Sequence, residues 1–313
     1  MAFTVTANDK TISITADNDG PFGTDQNYTN GLQIDYSNSI SDLNSIFIRY
    51  SPFSLLEHFE NNLHKWHISV GQKMWTPSDI QKEHPEPNER PYAGFLYSQG
   101  ELITISDTST HTLGLLVGVT GSNSFAEEAQ KFVHSLVGSD TPEGWDYQIE
   151  DTFIANLSYD GNYLQHTIEN KSGLSHEFST PLRVLAGNYR SELATGIMWR
   201  WGLNLQDSLG SAKTENEMSF KPHMVQGKVT GAFLFAGAEA RYRFNDITID
   251  GDRPDDVYPT DVEHIQATAV FGGAKYGESM GGSITLAFKS KDFEQDLNRH
   301  SANISMSLFW MYK

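Results

Sequence analysis

The chain has 313 residues, of which 38% are hydrophobic and 12% aromatic, with no cysteine and a formal net charge of −18. The absence of cysteine excludes disulfides and thiolate chemistry, and the acidic balance argues against a nucleic-acid partner because phosphate binding needs a basic surface. No run of about 18 apolar residues occurs, which excludes a transmembrane helix. No positively charged start precedes an apolar stretch, so we expect a mature chain without a signal peptide.

The first predicted elements are two alternating strands, residues 11–16 and 32–36, around a polar stretch at residues 17–31. The polar candidates at one edge of this strand pair are Asn18, Asp19, Asp25, Thr29 and Asn30. Turn chemistry explains Asn, Asp and Gly in such a place, and a polar hairpin loop is the simpler interpretation. The alternative is a calcium site, because calcium selects clustered oxygen ligands.

Alternation with a period of two recurs along the chain in runs of about ten residues, the length that a tilted strand needs to cross a bilayer. The clearest runs are residues 113–119, 197–205, 234–242 and 304–312. Such runs predict about twelve to fourteen strands, and single-chain bacterial barrels favour even numbers. A strand at residues 46–50 is doubtful, and residues 54–59 resemble a periplasmic elaboration. Residues 170–180 and 250–261 are predicted to be long solvated connections.

A soluble β-sandwich would also alternate, so the choice between a sandwich and a barrel needs other features. Charged residues lie deep within the runs, as a polar lumen requires: Arg200, Glu239, Arg241 and Arg243. Tryptophan and tyrosine lie near the ends of runs, as in an interfacial aromatic girdle. Lipid cannot satisfy an open sheet edge. We therefore predict an all-β fold in which residues 1–313 form a single closed antiparallel transmembrane β-barrel of about 12 strands.

One segment, near residues 124–137, departs from the β pattern and predicts a short extracellular helix. Ser124 and Glu127 have the spacing of a capping box, apolar residues recur at helical spacing, and Gly138 follows as a terminating glycine. A helix this short is marginal in water, so we expect it to pack against the barrel rim. His134 lies in its last turn, where the helix dipole would stabilise a charged imidazole; the alternative is a general base.

The loop after the strand that ends at Trp75 carries further charged candidates. Lys82 is either a solvated charge or an electrostatic clamp for a phosphate or an oxyanion. For Glu89 and Arg90, the simpler interpretation is a surface ion pair. The chain has no G-x-S-x-G, no H-E-x-x-H and no phosphate loop, so serine-hydrolase and zinc-protease functions lack support.

Five motifs, in this order, resemble those of the lipid A 3′-O-deacylase family. In this chain they are Asn18-Asp19, Tyr28 to Gly31, Glu89 to Gly94, Glu128-Gln130-His134 and Gly144-Trp145-Asp146-Gln148. The resemblance implies a twelve-stranded outer-membrane barrel with its site between the wall and a small extracellular helix. It also implies a calcium-dependent hydrolysis, similar to that of secreted phospholipase A2, that removes the 3′-linked acyloxyacyl chain of lipid A.

The resemblance also implies the roles of individual residues. The catalytic set is Asn18, Thr29, Lys82 and His134. His134 would be the base that deprotonates water, and Lys82 would contact a lipid A phosphate or the oxyanion. Asp19 and Asp140 would hold Ca2+, which would polarise the ester carbonyl. Asp140 is shorter than the glutamate that is also usual in the family at that position.

Three functions remain open at this point. The first, which we predict, is a lipid A hydrolase of the bacterial outer membrane that acts as a monomer on lipopolysaccharide among outer-membrane lipids. The second is a non-catalytic outer-membrane barrel, either a passive pore or a lipopolysaccharide-binding or adhesive surface protein. The third is a soluble calcium-binding β protein such as a lectin. Mass spectrometry of lipid A separates the first from the others, and insolubility without detergent removes the third.

Overall fold

The chain folds into a closed antiparallel β-barrel. The computed structural model describes residues 10–19, 27–41, 50–55, 61–170, 173–254 and 257–313. Each strand pairs with its sequence neighbours, and β1 pairs with β12 to close the barrel. The strands are β1 (Lys10–Asn18), β2 (Asn27–Ser39), β3 (Leu63–Thr76), β4 (Ala93–Ile105), β5 (Ser109–Thr120), β6 (Phe153–Glu169), β7 (Leu174–Gly187), β8 (Arg190–Leu203), β9 (Gly231–Asp246), β10 (Ile265–Tyr276), β11 (Met280–Ser290) and β12 (His300–Tyr312). The predicted twelve-stranded barrel is confirmed.

Side chains alternate between the lumen and the outer surface of every strand, as the pleat requires. On β9, Glu239, Arg241 and Arg243 are buried, whereas Leu234 and Tyr242 are exposed. An outer surface of exposed apolar side chains is unfavourable in water but matches the hydrocarbon of a bilayer, while charged residues belong in a polar lumen. The predicted division between a polar inside and an apolar outside is therefore confirmed.

The connections after β1, β3, β5, β7, β9 and β11 meet at one end of the barrel, here called the loop rim. The opposite end, the terminal rim, carries the paired residues Lys10 and Tyr312 of the first and last strands. None of the described helices is both long and apolar enough to cross a bilayer, an observation that does not bear on crossing by strands. The doubtful strand at residues 46–50 lies almost wholly outside the described residues, as do residues 56–59 of the predicted elaboration; residues 52–55 form a 3-10 turn.

The predicted solvated connection at residues 170–180 is wrong, because most of it is strand. β7 begins at Leu174 and pairs with both β6 and β8. Its polar composition reflects the lumen: Glu177 is buried there and forms an ion pair with Arg200 of β8. Polar residues that line a lumen have the same composition as a solvated loop, which is why the sequence pattern misled us at this position. Residues 250–254 and 257–261 do lie in a connection, between β9 and β10.

The helix predicted near residues 124–137 is α1 (Ala126–Val137), which follows β5. The predicted capping box is wrong, because the Ser124 hydroxyl donates instead to the carbonyl of Gly121 at 2.6 Å. Phe125 precedes the helix with a left-handed φ of 56°, and no side chain caps the first turn. Gly138 ends the helix as predicted, with φ 75° and its N–H bonded to the carbonyl of His134.

The connection between β8 and β9 enters the lumen from the terminal rim, and we call residues 204–230 the plug. The main-chain N–H of Met218 donates to Asp17 of β1 at 2.7 Å. Glu217 forms ion pairs of 2.8 Å with Lys73 of β3 and Arg190 of β8. Because these partners are lumen-facing residues of widely separated strands, the plug is fixed inside the barrel and fills it.

Candidate functional site

The N-terminal candidates lie where β1 and β2 reach the loop rim. Asn18 is the last residue of β1, and its amide donates to the main-chain carbonyl of Thr29 at 3.2 Å. The hydroxyl of Thr29 lies 2.6 Å from that of Thr76, at the end of β3. Asp19 follows Asn18 and is only 2% exposed. The structure therefore joins Asn18 to Thr29 directly and places Asp19 beside them in the chain.

A β-bulge sets the direction of Thr29. Tyr28 pairs with Trp75 and Asn30 pairs with Met74, so Thr29 has no partner in the ladder. The Tyr28 and Trp75 rings lie in the interior with their centroids 5.6 Å apart. A bulge changes the direction of one side chain, and here the Thr29 hydroxyl contacts that of Thr76. Thr76 follows the inward-facing Trp75, so the alternation of the strand places Thr76, and Thr29 with it, on the outer side of the wall. The bulge thus places a hydroxyl on the outer wall near the rim.

The helix α1 is docked on the outer wall of β3 and β4. The carbonyl of Ser124, just before the helix, accepts a 2.6 Å hydrogen bond from Gln72 of β3. A Cβ added at Gly94 of β4 would lie 2.0 Å from the Ser124 hydroxyl and 2.5 Å from the Cβ of Ala126. Gly94 is therefore required for the close approach of the helix, which gives the last residue of the E-R-P-Y-A-G motif a structural role.

A buried polar contact holds the helix to the loops beside it. The indole N–H of Trp145 donates to the side-chain carbonyl of Gln130 at 2.8 Å, and both residues are buried. Trp145 packs on Tyr92 with centroids 4.8 Å apart, and the Tyr92 hydroxyl donates to the carbonyl of Ile80. The motif residues Tyr92, Gln130 and Trp145 thus join α1 to the loops that precede β4 and β6.

Arg90, expected in a surface ion pair with Glu89, is instead 2% exposed and spans the top of the lumen. Its guanidinium donates to Thr248 at 2.8 Å and to Asp292 at 3.1 Å. Burial raises the pKa of Asp292, but the charges of Lys289 and Arg90 outweigh burial and hold that pKa below its ordinary value. The surface ion pair is therefore a wrong prediction. Arg90 links three connections of the loop rim.

His134 lies on the face of α1 that is turned towards the barrel, because it follows Ala126 and Gln130 at four-residue intervals. Its Nδ1 is 2.5 Å from the main-chain carbonyl oxygen of Asp140. A carbonyl can only accept, so Nδ1 carries the proton and Nε2 carries the lone pair. This is the tautomer that a general base acting through Nε2 needs. The carboxylate of Asp140 is exposed, so its main chain and not its side chain orients His134.

Lys82 is 42% exposed and forms ion pairs within its own loop, at 2.5 Å with Glu86 and 3.7 Å with Asp79. The hydrogen bond that Lys82 donates to the Glu86 carboxylate raises the pKa of Lys82, so the ammonium stays charged. A Cβ added at Gly144 would lie 2.9 Å from the carbonyl of Lys82, which shows that this loop borders the segment after α1. Lys82 is therefore a cation in a loop that borders the segment after the helix, and its partners in this structure are carboxylates.

The residues predicted to hold Ca2+ offer the right donor atoms. Asn18, Asp19 and Thr29 provide carbonyl, carboxylate and hydroxyl oxygens at the rim, and calcium binds oxygen ligands. Asp140 adds an exposed carboxylate after the helix. The donor set fits calcium by its chemistry, and the role of each ligand stays a prediction.

A buried polar cluster in the lumen was not predicted from the sequence. It consists of Asp35 on β2, His67 on β3, Glu101 on β4 and His223 on the plug. The alternation pattern alone could have predicted that Asp35, His67 and Glu101 face the lumen from three successive strands. The contribution of the plug could not be read from sequence, because it joins the cluster from about 120 residues away or more.

Fold and rim define the class of protein: a plugged outer-membrane β-barrel whose polar rim site adjoins a helix docked on the outer wall. The family model described as "Outer membrane protein LpxR" matches residues 1–312, so the chain belongs to that family. The resemblance to lipid A 3′-O-deacylases and the predicted outer-membrane location are thereby confirmed.

The comparison with solved structures agrees at the level of fold. LpxR from Salmonella typhimurium superposes with a TM-score of 0.78 at 17% identity, covering 96% of this chain and all of that chain. The β domain of the Bordetella autotransporter BrkA reaches a TM-score of only 0.45 at 10% identity, covering 97% of this chain and 98% of that chain. None of the curated proteins compared with the chain matches it.

Proposed function

We propose that this protein is a carboxylic ester hydrolase that removes the 3′-linked acyloxyacyl chain of lipid A in the outer membrane. Family membership supports a lipid A deacylase role. The observation that supports the reaction type is the hydrogen bond from His134 Nδ1 to the Asp140 carbonyl, which orients the imidazole and leaves Nε2 as the nitrogen that would accept a proton. The site is built from one chain, so we propose that the protein acts as a monomer.

In this proposal His134 takes a proton from water, which then attacks the ester carbonyl of the substrate. As the imidazole gains its second proton, the Asp140 carbonyl stabilises the positive charge and holds the ring in place. The water loses its proton to Nε2, and the collapse of the tetrahedral intermediate returns that proton to the leaving alkoxide. A positioned base of this kind contributes about a hundred- to ten-thousand-fold in rate.

Three further sets of residues would stabilise negative charge. Asn18 and Thr29, joined on the outer side of the wall, provide neutral hydrogen-bonding groups for the substrate or the oxyanion. Lys82 would bind a lipid A phosphate or the oxyanion by exchanging its contact with Glu86 for the substrate. Asp19 and Asp140 would hold Ca2+, which when bound supplies positive charge for the ester carbonyl.

The outer surface of α1 favours the proposal that the substrate stays in the bilayer. One face of the helix is docked on the barrel through Ala126 and Gln130, and both residues are buried. The large apolar side chains of the helix are exposed: Phe132, Val133, Leu136 and Val137. An isolated apolar patch on a small helix is unfavourable in water and marks an interaction surface. Acyl chains of outer-leaflet lipids are the natural contact, because the neighbouring wall also faces lipid.

The plug argues against the passive pore among the non-catalytic alternatives. It is held by ion pairs between Glu217 and residues of two strands, inside the lumen that a pore would need to keep open. A soluble calcium-binding protein is also disfavoured, because the barrel exposes apolar residues such as Ile34 and Leu308 around its outer surface. Only an assay of lipid A deacylation distinguishes the proposed hydrolase from an inactive lipopolysaccharide-binding or adhesive protein.

The test is mass spectrometry of lipid A from cells that lack such an activity and express this chain. The wild-type protein should convert lipid A to a species that lacks the 3′-linked acyloxyacyl group. The variant His134→Ala, expressed at the same level and folded in the outer membrane, should leave lipid A unchanged. Unmodified lipid A in cells with abundant folded wild-type protein would contradict the proposed function.

A further inference from the structure

We propose that the lumen contains a second cation site, separate from the rim, which binds a transition-metal dication such as Zn2+. Its ligands are Asp35, His67 and His223, and Glu101 orients His67. The site is independent of the proposed deacylase chemistry, because its residues lie inside the barrel, whereas His134 lies on a helix outside it.

The three ligands converge from two strands and the plug. One ligand atom from each of Asp35, His67 and His223 lies within 4.8 Å of the other two. All three residues are buried, and Asp35 Oδ1 is 2.9 Å from His67 Nε2. A dication placed among these atoms would replace the direct contact between Asp35 and His67 with a bond to each of them.

Glu101 supplies the outer partner that metal-binding histidines normally have. Its Oε2 is 2.8 Å from His67 Nδ1, on the opposite side of the ring from Asp35. A histidine that binds metal through one nitrogen usually donates its other N–H to a carboxylate, which fixes the tautomer and strengthens the ligand. His67 is therefore presented with Nε2 towards the site and Nδ1–H towards Glu101.

His223 provides the independent observation that points to a ligand. It is 3% exposed, and neither ring nitrogen has a hydrogen-bond partner among the described residues. Its Nε2 is 3.7 Å from Glu101 Oε2, beyond hydrogen-bonding range. A buried imidazole without partners is costly, and a metal ion would satisfy one of its nitrogens.

The local structure allows His223 to reach the metal. Its main-chain carbonyl is held at 2.6 Å by the ammonium of Lys65, which fixes the backbone of the plug at this point. The ring stacks on that of His67 with centroids 3.9 Å apart, so metal binding requires it to turn about its broad χ2 torsion. A cavity of about 100 Å³, lined by His67, Glu101 and His223 among others, gives room for this rotation and for a bound water.

The donor set selects the class of metal. Calcium and magnesium prefer sites made of oxygen, whereas two imidazoles and one carboxylate suit zinc and related transition metals. Without a metal, His67 would be an imidazolium that bridges Asp35 and Glu101. That arrangement explains His67 but leaves the ring nitrogens of His223 without a hydrogen-bond partner in the described part of the chain, and the metal accounts for both histidines.

The test is zinc binding by tag-free protein, purified in detergent and stripped of metal with a chelator. Titration calorimetry and elemental analysis should find one Zn2+ per wild-type chain. His223→Ala should abolish this binding, and Glu101→Gln should weaken it about ten- to a hundredfold, as expected for an outer partner. His111→Ala is the matched control, because His111 is also buried but bonds to Tyr159 and Ser109 outside the cluster, so zinc binding should be unchanged.

Cobalt provides a second readout, since Co2+ bound to this donor set should give visible absorption that His223→Ala abolishes. Heat-modifiable gel migration reports whether each variant is folded, and Glu101→Gln tests the site even if His223→Ala fails to fold. Two results would overturn the proposal: wild-type protein that binds no zinc, or zinc binding of equal strength in wild-type, His223→Ala and Glu101→Gln proteins. Neither result depends on whether the protein deacylates lipid A.

Discussion

His134 and Asp140 are joined by a hydrogen bond from the imidazole Nδ1 to a main-chain carbonyl, at 2.5 Å across the end of α1. Because the acceptor belongs to the main chain, it does not depend on which side chain occupies position 140. The orientation of the His134 ring and any metal-binding role of the Asp140 carboxylate are therefore separable by mutation. Gly138, with its left-handed φ of 75°, allows the chain to turn back so that this contact can form.

Replacing His134 by alanine should abolish deacylation while the barrel stays folded, since α1 lies outside the wall. Loss of the base should lower the rate about a hundred- to ten-thousand-fold. If His134 only stabilised the helix end, the cost would be about 0.3–1 kcal/mol in stability and the activity would remain. The measurement is the turnover of lipid A in detergent by purified protein. The control is His166→Ala, which should be fully active. His166 is an exposed histidine near the end of β6 at the terminal rim, whereas the helix lies near the loop rim.

Chelation of calcium should abolish the activity, and added calcium should restore it. Asp19→Asn should raise the calcium concentration for half-maximal activity by about tenfold or more, because ligand charge sets calcium affinity. Asp140→Asn should have a smaller effect, since its carboxylate is exposed and its carbonyl still accepts from His134. Activity titrations against free calcium measure both variants. Full activity in chelator would remove Asp19 and Asp140 from any metal role.

A negative charge on the exposed apolar surface of α1 should lower activity on lipid A in membranes. Leu136 is 69% exposed, and Leu136→Asp should reduce turnover in vesicles several-fold, because a charge is unfavourable where the helix meets the lipid interface. Ser135→Asp, which places the same charge on the neighbouring exposed polar residue, should have little effect. Equal losses in the two variants would contradict a lipid contact for the apolar face.

The plug should make the barrel non-conducting. Wild-type protein in planar bilayers should show no stable channel, because the plug fills the lumen and is fixed to β1, β3 and β8. Replacing residues 210–221 by a short glycine-serine linker should open a conducting path in any barrel that still folds. Steady large-channel currents from the wild-type protein would support the pore alternative.

Glu217→Ala should destabilise the barrel, because it leaves the buried Arg190 and the largely buried Lys73 without one of their partners. Breaking a buried ion pair costs about 3–5 kcal/mol, measurable as urea unfolding in lipid vesicles. Glu263→Ala breaks a partly exposed pair with Lys291 and should cost about 0–1 kcal/mol.

The effect of Glu217→Ala should also depend on pH. Burial raises the pKa of Glu217, but Arg190 and Lys73 outweigh burial and hold it well below the ordinary value of 4.5. A carboxyl group with a lowered pKa in the folded state stabilises the protein above its unfolded pKa, and that stabilisation is lost as the pH falls below it. The difference between wild type and Glu217→Ala should thus be constant above about pH 5 and shrink below about pH 4.5. A constant difference down to pH 3 would contradict this assignment.

The wall of the barrel could be predicted from the sequence because its signal is local. On β8, the structure places Ile197 and Trp199 towards lipid. Met198 and Arg200, which alternate with them, lie in the lumen. A pleat with a period of two fixes this division from neighbouring residues alone. The helix was predicted for the same reason, from apolar residues at helical spacing and the glycine that ends it.

The plug and the details of the rim site could not be predicted in this way. Glu217 resembles a residue of an exposed loop, and its partner Lys73 lies 144 residues away in the chain. The contact of His134 uses a main-chain carbonyl, which has no sequence signature. Arg90 was assigned to the wrong partner because its true partner, Asp292, comes from the other end of the chain. Such contacts depend on the closed barrel, so they are defined only once the fold is known.

The plug touches both strands of the seam where the barrel closes. The N–H of Met218 bonds to Asp17 on β1, and the carbonyl of Asn216 accepts from Asn303 on β12 at 2.8 Å. Both contacts lie on the lumen side of strands that pair directly with each other to close the barrel. The seated plug therefore stabilises the closed seam from inside, and the closed seam completes the surface that holds the plug.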